Sequence, residues 1–280
     1  MMLDPVEVER VVRAALEEDL RYGPDVTSRA VIPAGAVGVA DVVARAAGVV
    51  AGLPVASAVV EIAGAGSLTV VRSDGSAVSP GDVVATIKGP LRELLGAERT
   101  LLNLLTHLSG VATATRAWVD AVAGTGAAIR DTRKTLPGLR VLEKYAVRCG
   151  GGVNHRMGLG DAALIKDNHV AAAGSVAAAY RLVRDAAPDV VVEVECDTLA
   201  QVGEALAAGA ELILLDNMPL ADMRTAVEMA RADPDVRLEA SGGLRLSSAR
   251  EVALTGVHYL SVGALTHSSP ALDLGLDLAV

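Results

Sequence analysis

Four stretches in the second half of the chain decide the fold: VVVEVE (190–195), ELILLD (211–216), VRLEAS (236–241) and HYLSVG (258–263). Each is rich in aliphatic residues and ends in a polar or glycine residue, the pattern of strands covered on both faces in a parallel sheet. Between them lie Ala-rich stretches with helical spacing, such as LAQVGEALAAG (199–209). Working back along the chain, AAIRDT (127–132) and AALIKD (162–167) repeat the pattern, so at least six strand–helix units recur. No GxGxxG follows the first of these strands, which favours a closed or nearly closed α/β barrel over a doubly wound sheet.

The part before about Val111 reads differently. Asp4 and Pro5 predict the start of a helix with Val8, Val11, Val12, Ala15 and Leu16 on one face. After a turn at Gly23 and Pro24, residues 37–88 read as short Val-rich strands with turn signals in SDGSAV and SPGDVV, a small mixed domain. Pro90 then opens a long helical pattern in which Leu94, Leu101, Leu105 and Leu108 share a stripe, with Arg92, Arg99, Asn103 and Thr106 on the opposite face.

Composition narrows the function classes. Hydrophobic residues make up 51% of the 280, which is enough for a large core, and aromatic residues only 2%, with no Phe. A base-stacking platform for single strands has too few rings to form. The apolar run from Gly48 to Val60 is short and interrupted by Gly52 and Pro54, so no membrane segment is expected. Cys149 and Cys196 stand far apart with no metal-type spacing, which fits a reducing cytoplasm. The net charge of −9 argues against a general nucleic-acid binder. Yet between Arg130 and Lys166 there are eight cationic side chains against three acidic ones. An anion-binding cleft and a solvated loop both fit this excess.

Strand ends carry the chemistry. Arg133 and Lys134, Lys166, Glu195, Asp216, Ser241 with Gly242 and Gly243, and Ser261 with Gly263 all fall where an α/β barrel assembles its site. Glu193 and Glu195 are two apart on one strand and share a side, expected to be the interior. At about 4 Å such charges repel by about 4 kcal/mol at an effective dielectric near 20, so a cation must compensate them. Lys166, Arg133 and a bound Mg²⁺ are the available compensators. Glu193 reads equally well as a structural ion-pair partner, whereas Glu195 lies nearer the rim. ASGGL and SVGAL offer small residues where backbone N–H groups can approach a phosphate.

These residues describe a site for a highly anionic ligand that carries sugar hydroxyls, and several enzyme classes could use it. Seven strings go further: ERTLLNLLTHLSGVAT (98–113), DTRKTLPGLR (131–140), GGGVNHRMGLGDAALIKDNH (150–169), VEVE (192–195), LLDN (214–217), EASGG (239–243) and SVGALTHS (261–268). Across almost its whole length the chain resembles the quinolinate phosphoribosyltransferases. The resemblance implies an N-terminal α/β sandwich (1–110, joined by the tail 270–280) and an incomplete, open α/β barrel of the TIM-like type (111–269).

The same resemblance implies a cytoplasmic homodimer, with assembly into hexamers left open, in which the Glu98–Arg99–Thr100 helix of one subunit completes the other's site. It places Arg99, Arg133, His155, Arg156 and Lys166 around the two carboxylates of quinolinate, which suits bidentate Arg forks. Lys134, Glu195, Asp216 and the segments Ser241–Gly242–Gly243 and Ser261 with Gly263 and Ala264 would hold 5-phosphoribosyl-1-pyrophosphate, and Thr132 joins the substrate-binding set. Glu195 and Asp216 would hold Mg²⁺, and Lys166, Glu195 and Asp216 are the expected catalytic residues. Departing pyrophosphate leaves an oxocarbenium-like ribosyl centre, the pyridine nitrogen attacks it, and decarboxylation follows once that nitrogen is positive.

The chain departs from the family pattern at His107, where Gln or Arg is expected, and at Leu136, where Thr is common. Within the class, the alternative is the phosphoribosyltransferase-like protein of molybdenum transport. From other classes, the alternatives are an aldolase-like barrel with a Schiff-base Lys166 and a non-catalytic binder of phosphorylated metabolites.

Overall fold

The computed structural model describes residues 3–279, in two compact units whose elements are numbered here along the chain. Among the described residues, the first unit is formed by 3–116, 135–151 and 264–279. Helix α1 (Pro5–Leu20) starts as the sequence predicts: the Asp4 carboxylate accepts the Val6 N–H at 2.9 Å, and Pro5 sits where its missing N–H costs nothing. Val8, Val11, Val12 and Leu16 are its buried face. Helices α2 (Val26–Val31) and α3 (Leu53–Ile62) follow. Strands β1 (Val37–Ala44), β3 (Ser67–Val70) and β5 (Val83–Pro90) form an antiparallel sheet with the C-terminal strand β12 (Leu274–Ala279), in the order β12-β1-β5-β3. The register of β12 pairs Ala279 with Val39 and Leu274 with Ala44, so the end of the chain covers what would otherwise be an open edge of β1. Strands β2 (Gly48–Val49) and β4 (Ala77–Val78) pair separately.

Helix α4 (Leu91–Ala121) corrects the sequence reading. It opens one residue after Pro90, which ends β5, and the change of rhythm expected near Val111 does not stop it. The buried stripe of Leu94, Leu101, Leu105 and Leu108 continues through Val111, Thr115 and Trp118 at helical spacing. Gly110, inside the helix, permits close packing: a Cβ there would lie 2.2 Å from the Pro270 carbonyl oxygen. Helices α5 (Arg140–Cys149) and α11 (Ala264–His267) complete this unit. The two departures from the family pattern meet here on the fully buried Glu143 of α5. The His107 ring lies 2.9 Å from Glu143 Oε1, and the Leu136 N–H donates to Oε2 at 3.1 Å.

The second unit, Ala117–Lys134 and Gly152–Gly263, contains the six strands foreseen in the sequence: β6 (Ala128–Arg130), β7 (Ala163–Ile165), β8 (Val192–Cys196), β9 (Leu212–Asp216), β10 (Arg237–Ser241) and β11 (Tyr259–Ser261). Helices α6 (Asp167–Ala173), α7 (Val176–Ala186), α8 (Leu199–Ala207), α9 (Leu220–Ala230) and α10 (Ala249–Ala253) alternate with them. All pairings are parallel, in the order β6-β11-β10-β9-β8-β7. β6 and β7 follow one another in sequence yet occupy opposite edges of the sheet, which is the seam of an open TIM-like barrel. Val153 bridges to Arg130 outside β6 and brings the loop after it to the strand ends.

Candidate active site

Strand register accounts for the site. Leu164 of β7 is opposite Glu193 of β8, so two residues on, Lys166 comes beside Glu195, and the two form a short ion pair. Asp216 of β9 is opposite Ser241 of β10, and Leu214 lies between Glu195 and Glu239. These side chains open into a cavity of about 570 Å³ lined also by Thr132, Arg133, Lys134, His155, Arg156, Gly242, Gly243 and Ser261. Twelve of the residues singled out from the sequence therefore line one cavity in one unit. Gly263 and Ala264 lie outside the lining, and Arg99 is an exposed residue of α4 in the other unit.

Beneath this cavity is a buried ionic cluster. The Arg130 guanidinium forms a short bond to Glu239, lies 3.8 Å from Glu193, and stacks 4.3 Å from the centre of the Tyr259 ring. His155 Nε2 is 2.8 Å from Glu193 and 3.6 Å from Glu239. Burial pushes both carboxyls above their ordinary range; for Glu239 the adjacent Glu193 pushes further, and attraction to Arg130 and His155 counteracts. Compensation for Glu193 and Glu195 thus divides differently from expectation. Lys166 serves Glu195, while Arg130 and His155 lie beside Glu193 and Arg156 also favours its charged form. Glu193, Glu239 and His155 have the donor set of a metal site within 4.8 Å, but the Arg130 guanidinium already supplies its positive charge.

The upper wall is cationic. Burial and repulsion from Arg133 lower the pKa of Arg156, and attraction to Asp161 and Glu193 opposes them. Two guanidiniums held close enough to repel, with Lys134 and Lys166 in the same lining, make a cavity whose electrostatics call for an anion. The Arg156 loop is shaped by Asp161, whose carboxylate accepts the Met157 and Gly158 N–H groups at 2.6 and 2.7 Å, while Arg156 Nη1 donates to the Ala162 carbonyl at 3.0 Å. Opposite, Gly242 and Gly243 have φ of 86° and 60°, and a Cβ on Gly242 would lie 2.4 Å from Asn217 Oδ1. The glycines are there to let backbone and Asn217 approach.

The sequence reading missed Asn217, Glu239 and Arg130 as part of this assembly. Asn217 is the one non-glycine with positive φ (52°) among the described residues; its amide donates to Asp216 Oδ2 at 2.7 Å. Glu239 carried a readable signal: it stands two residues before Ser241 and so shares its side, as Glu193 does with Glu195. The cysteines are excluded as nucleophiles, since burial pushes the Cys149 thiol up to about 11 and Cys196 up to about 12.

An open α/β barrel with cationic, carboxylate and glycine strand ends around one cavity defines an enzyme site for a phosphorylated, polyanionic substrate. Comparison with known proteins makes this specific. Residues 25–109 match the model of the quinolinate phosphoribosyl transferase N-terminal domain and residues 111–277 that of the C-terminal domain, so the chain belongs to the quinolinate phosphoribosyltransferase family, a family of pentosyltransferases. It is 57% identical over 273 residues (95% of each chain) to nicotinate-nucleotide pyrophosphorylase [carboxylating] of Mycobacterium leprae. It is 37% identical to the human protein of that name, covering 99% of this chain and 94% of the human one. The solved nicotinate-nucleotide pyrophosphorylase of Francisella tularensis superposes with a TM-score of 0.93 at 37% identity, covering 99% of this chain and 98% of that one.

Proposed function

We infer that this chain converts quinolinate and 5-phosphoribosyl-1-pyrophosphate to nicotinate mononucleotide, pyrophosphate and carbon dioxide, a step of NAD synthesis. The observation that carries the reading is the strand-end cavity where Arg133 and Arg156 are held against their mutual repulsion with Lys134 and Lys166 nearby. A planar dicarboxylate relieves that repulsion and offers each guanidinium a bidentate partner. Lys166, with its side chain 46% exposed, is paired with Glu195; a pair so open contributes at most about 1 kcal/mol. A substrate carboxylate can therefore take Lys166 over at small cost.

Glu195 and Asp216, at the ends of neighbouring strands, place negative charge where the ribosyl centre becomes positive as pyrophosphate departs. Their oxygens suit Mg²⁺, since Lys166 and the Asn217 amide each engage one carboxylate oxygen and each carboxylate has a second. Bound there, Mg²⁺ would neutralise the leaving pyrophosphate. The Ser241–Gly242–Gly243 rim and Lys134 are assigned to phosphate groups, and Lys166 to the carboxylate side of the pyridine, where it opposes the charge that develops on decarboxylation. We assign residues 111–269 to the catalytic barrel domain and residues 1–110 with the tail 270–280 to the sandwich domain.

The test is a paired assay. Purified protein with Mg²⁺ and the phosphoribosyl donor should form nicotinate mononucleotide from quinolinate and not from nicotinate, and equal use of both acids sinks the reading. We further propose a cytoplasmic homodimer in which Arg99, exposed on α4, reaches the partner's site. Both cysteines are free thiols, and no helix among the described residues is long and apolar enough to cross a membrane. Mixing inactive Arg99→Ala and Lys166→Ala subunits with exchange should restore about a quarter of the activity, because about half the dimers are mixed and each of these holds one complete site. No recovery after demonstrated exchange would keep Arg99 out of the partner's site.

A further inference from the structure

The six-stranded unit has a second cavity, of about 430 Å³, at the end of the sheet opposite the candidate active site. Its lining includes the first residue of each of four strands: Val192 of β8, Leu212 of β9, Arg237 of β10 and Tyr259 of β11. In α/β barrels the interior is ordinarily filled by layers of branched apolar side chains. Here Arg237 stands two residues before Glu239 and so points, like it, into the barrel, and Tyr259 is opposite Glu239 on the neighbouring strand. Arg130 reaches the same space from β6. Its Nη1 is taken by Glu239, and its Nε is buried without a partner. Because Arg130 lines this cavity and Glu239 lines the strand-end cavity, one ion pair stands between the two.

Charge in this cavity is balanced, yet the opposite signs at its rim do not pair. Arg130, Arg184 and Arg237 line it together with Asp189, Glu211 and Asp235. Among the described residues none of these three carboxylates is in an ion pair, and Arg184 and Arg237 hold only backbone carbonyls. Arg184 donates to Val190 at 3.4 Å, and Arg237 to Pro234 and Val236 at 2.6 and 3.1 Å. Asp235 stands two residues before Arg237, and the Arg237 N–H donates to the Glu211 carbonyl at 2.7 Å, so both signs meet at one part of the rim. A polyanion entering here meets three carboxylates, and a simple cation meets three guanidiniums. A guest that carries both charges meets neither penalty: its carboxylate suits a guanidinium fork and its ammonium a carboxylate. We propose that this cavity is a second ligand site, for a small zwitterion of the α-amino acid class with an uncharged side chain. Arg237 and Arg130 hold its carboxylate, and Asp235 and Glu211 hold its ammonium. The volume is within the usual range of small-molecule sites, and both cavities can be filled at once because they lie at opposite ends of the strands.

The test is calorimetric titration of the full chain with each of the twenty common L-amino acids, and with propionate and ethylammonium as probes that carry one charge each. At least one amino acid with an uncharged side chain should bind saturably. Propionate and ethylammonium should bind about tenfold more weakly or worse, since each forgoes a charge-assisted hydrogen bond. Arg237→Gln and Asp235→Asn change exposed positions and should each weaken the amino acid by about tenfold or more. The same amino acid should still bind when the protein is saturated with quinolinate. Absence of saturable binding by every amino acid overturns the proposal without any variant having to fold. Binding that both variants leave intact, or that quinolinate abolishes, also overturns it, because the amino acid would then sit elsewhere. Propionate binding as tightly as the amino acid removes the zwitterion as the ligand class.

Discussion

Glu143 in the first unit and the pair Glu193 and Glu239 in the second are buried in different ways. In the first, Glu143 is satisfied by a histidine ring and a loop N–H, so it ties helix α5 to α4 and to the turn at Leu136. In the second, Glu193 and Glu239 crowd together beneath an open cavity and depend on Arg130 and His155. A single carboxylate that accepts local hydrogen bonds serves the fold. Two like charges kept together beneath a cationic rim serve a site, since packing alone would favour apolar residues there.

The sharpest way to break this contrast is Arg130→Met. It leaves Glu193 and Glu239 without their guanidinium, and stability to urea should fall by about 3–5 kcal/mol, the usual cost of removing one partner of a buried pair. A loss below about 1 kcal/mol would mean that the cluster does not depend on Arg130. Next in size, Lys134→Ala removes the charged hydrogen bond that we propose it makes to a phosphate oxygen and should cost about 1.5–3 kcal/mol in kcat/KM for the phosphoribosyl donor, with quinolinate binding little changed. Unaltered donor kinetics would show that Lys134 faces only solvent.

In the first unit, Glu143→Gln retains an acceptor for the Leu136 N–H and should cost only about 1 kcal/mol in urea, with activity kept. Lost activity in a folded Glu143→Gln protein would remove the distinction between the two units. The smallest effect is one of pH. Because Glu239 is raised above 4.5 in the folded state, the native protein binds more protons than the unfolded chain between 4.5 and that raised value. This group's contribution is fully present below 4.5 and is lost as pH rises through the folded value. Melting curves should therefore show wild type gaining on Glu239→Gln as pH falls toward 4.5, and a constant difference across that window would refute the buried pair as described.

Local chemistry was legible wherever one stretch of chain decides it. The start of α1 follows from Asp4 and Pro5, and the six barrel strands follow from apolar runs with polar ends, because each needs only its neighbours in sequence. Lys166, Glu195, Asp216 and Ser241 could be chosen because strand ends of α/β barrels share a rim. The helix through Gly110 was misjudged for the opposite reason: the contact that makes glycine necessary comes from Pro270, 160 residues away.

The sequence by itself determined the class of fold, the family and the residue types available to the site. Tertiary structure decided partners. Which cation neutralises Glu193 and what supports Asp216 depend on register between strands and on loops meeting at their ends. Coulomb and hydrogen-bond energies fall off over a few ångströms, and separation along the chain says almost nothing about distances of that size.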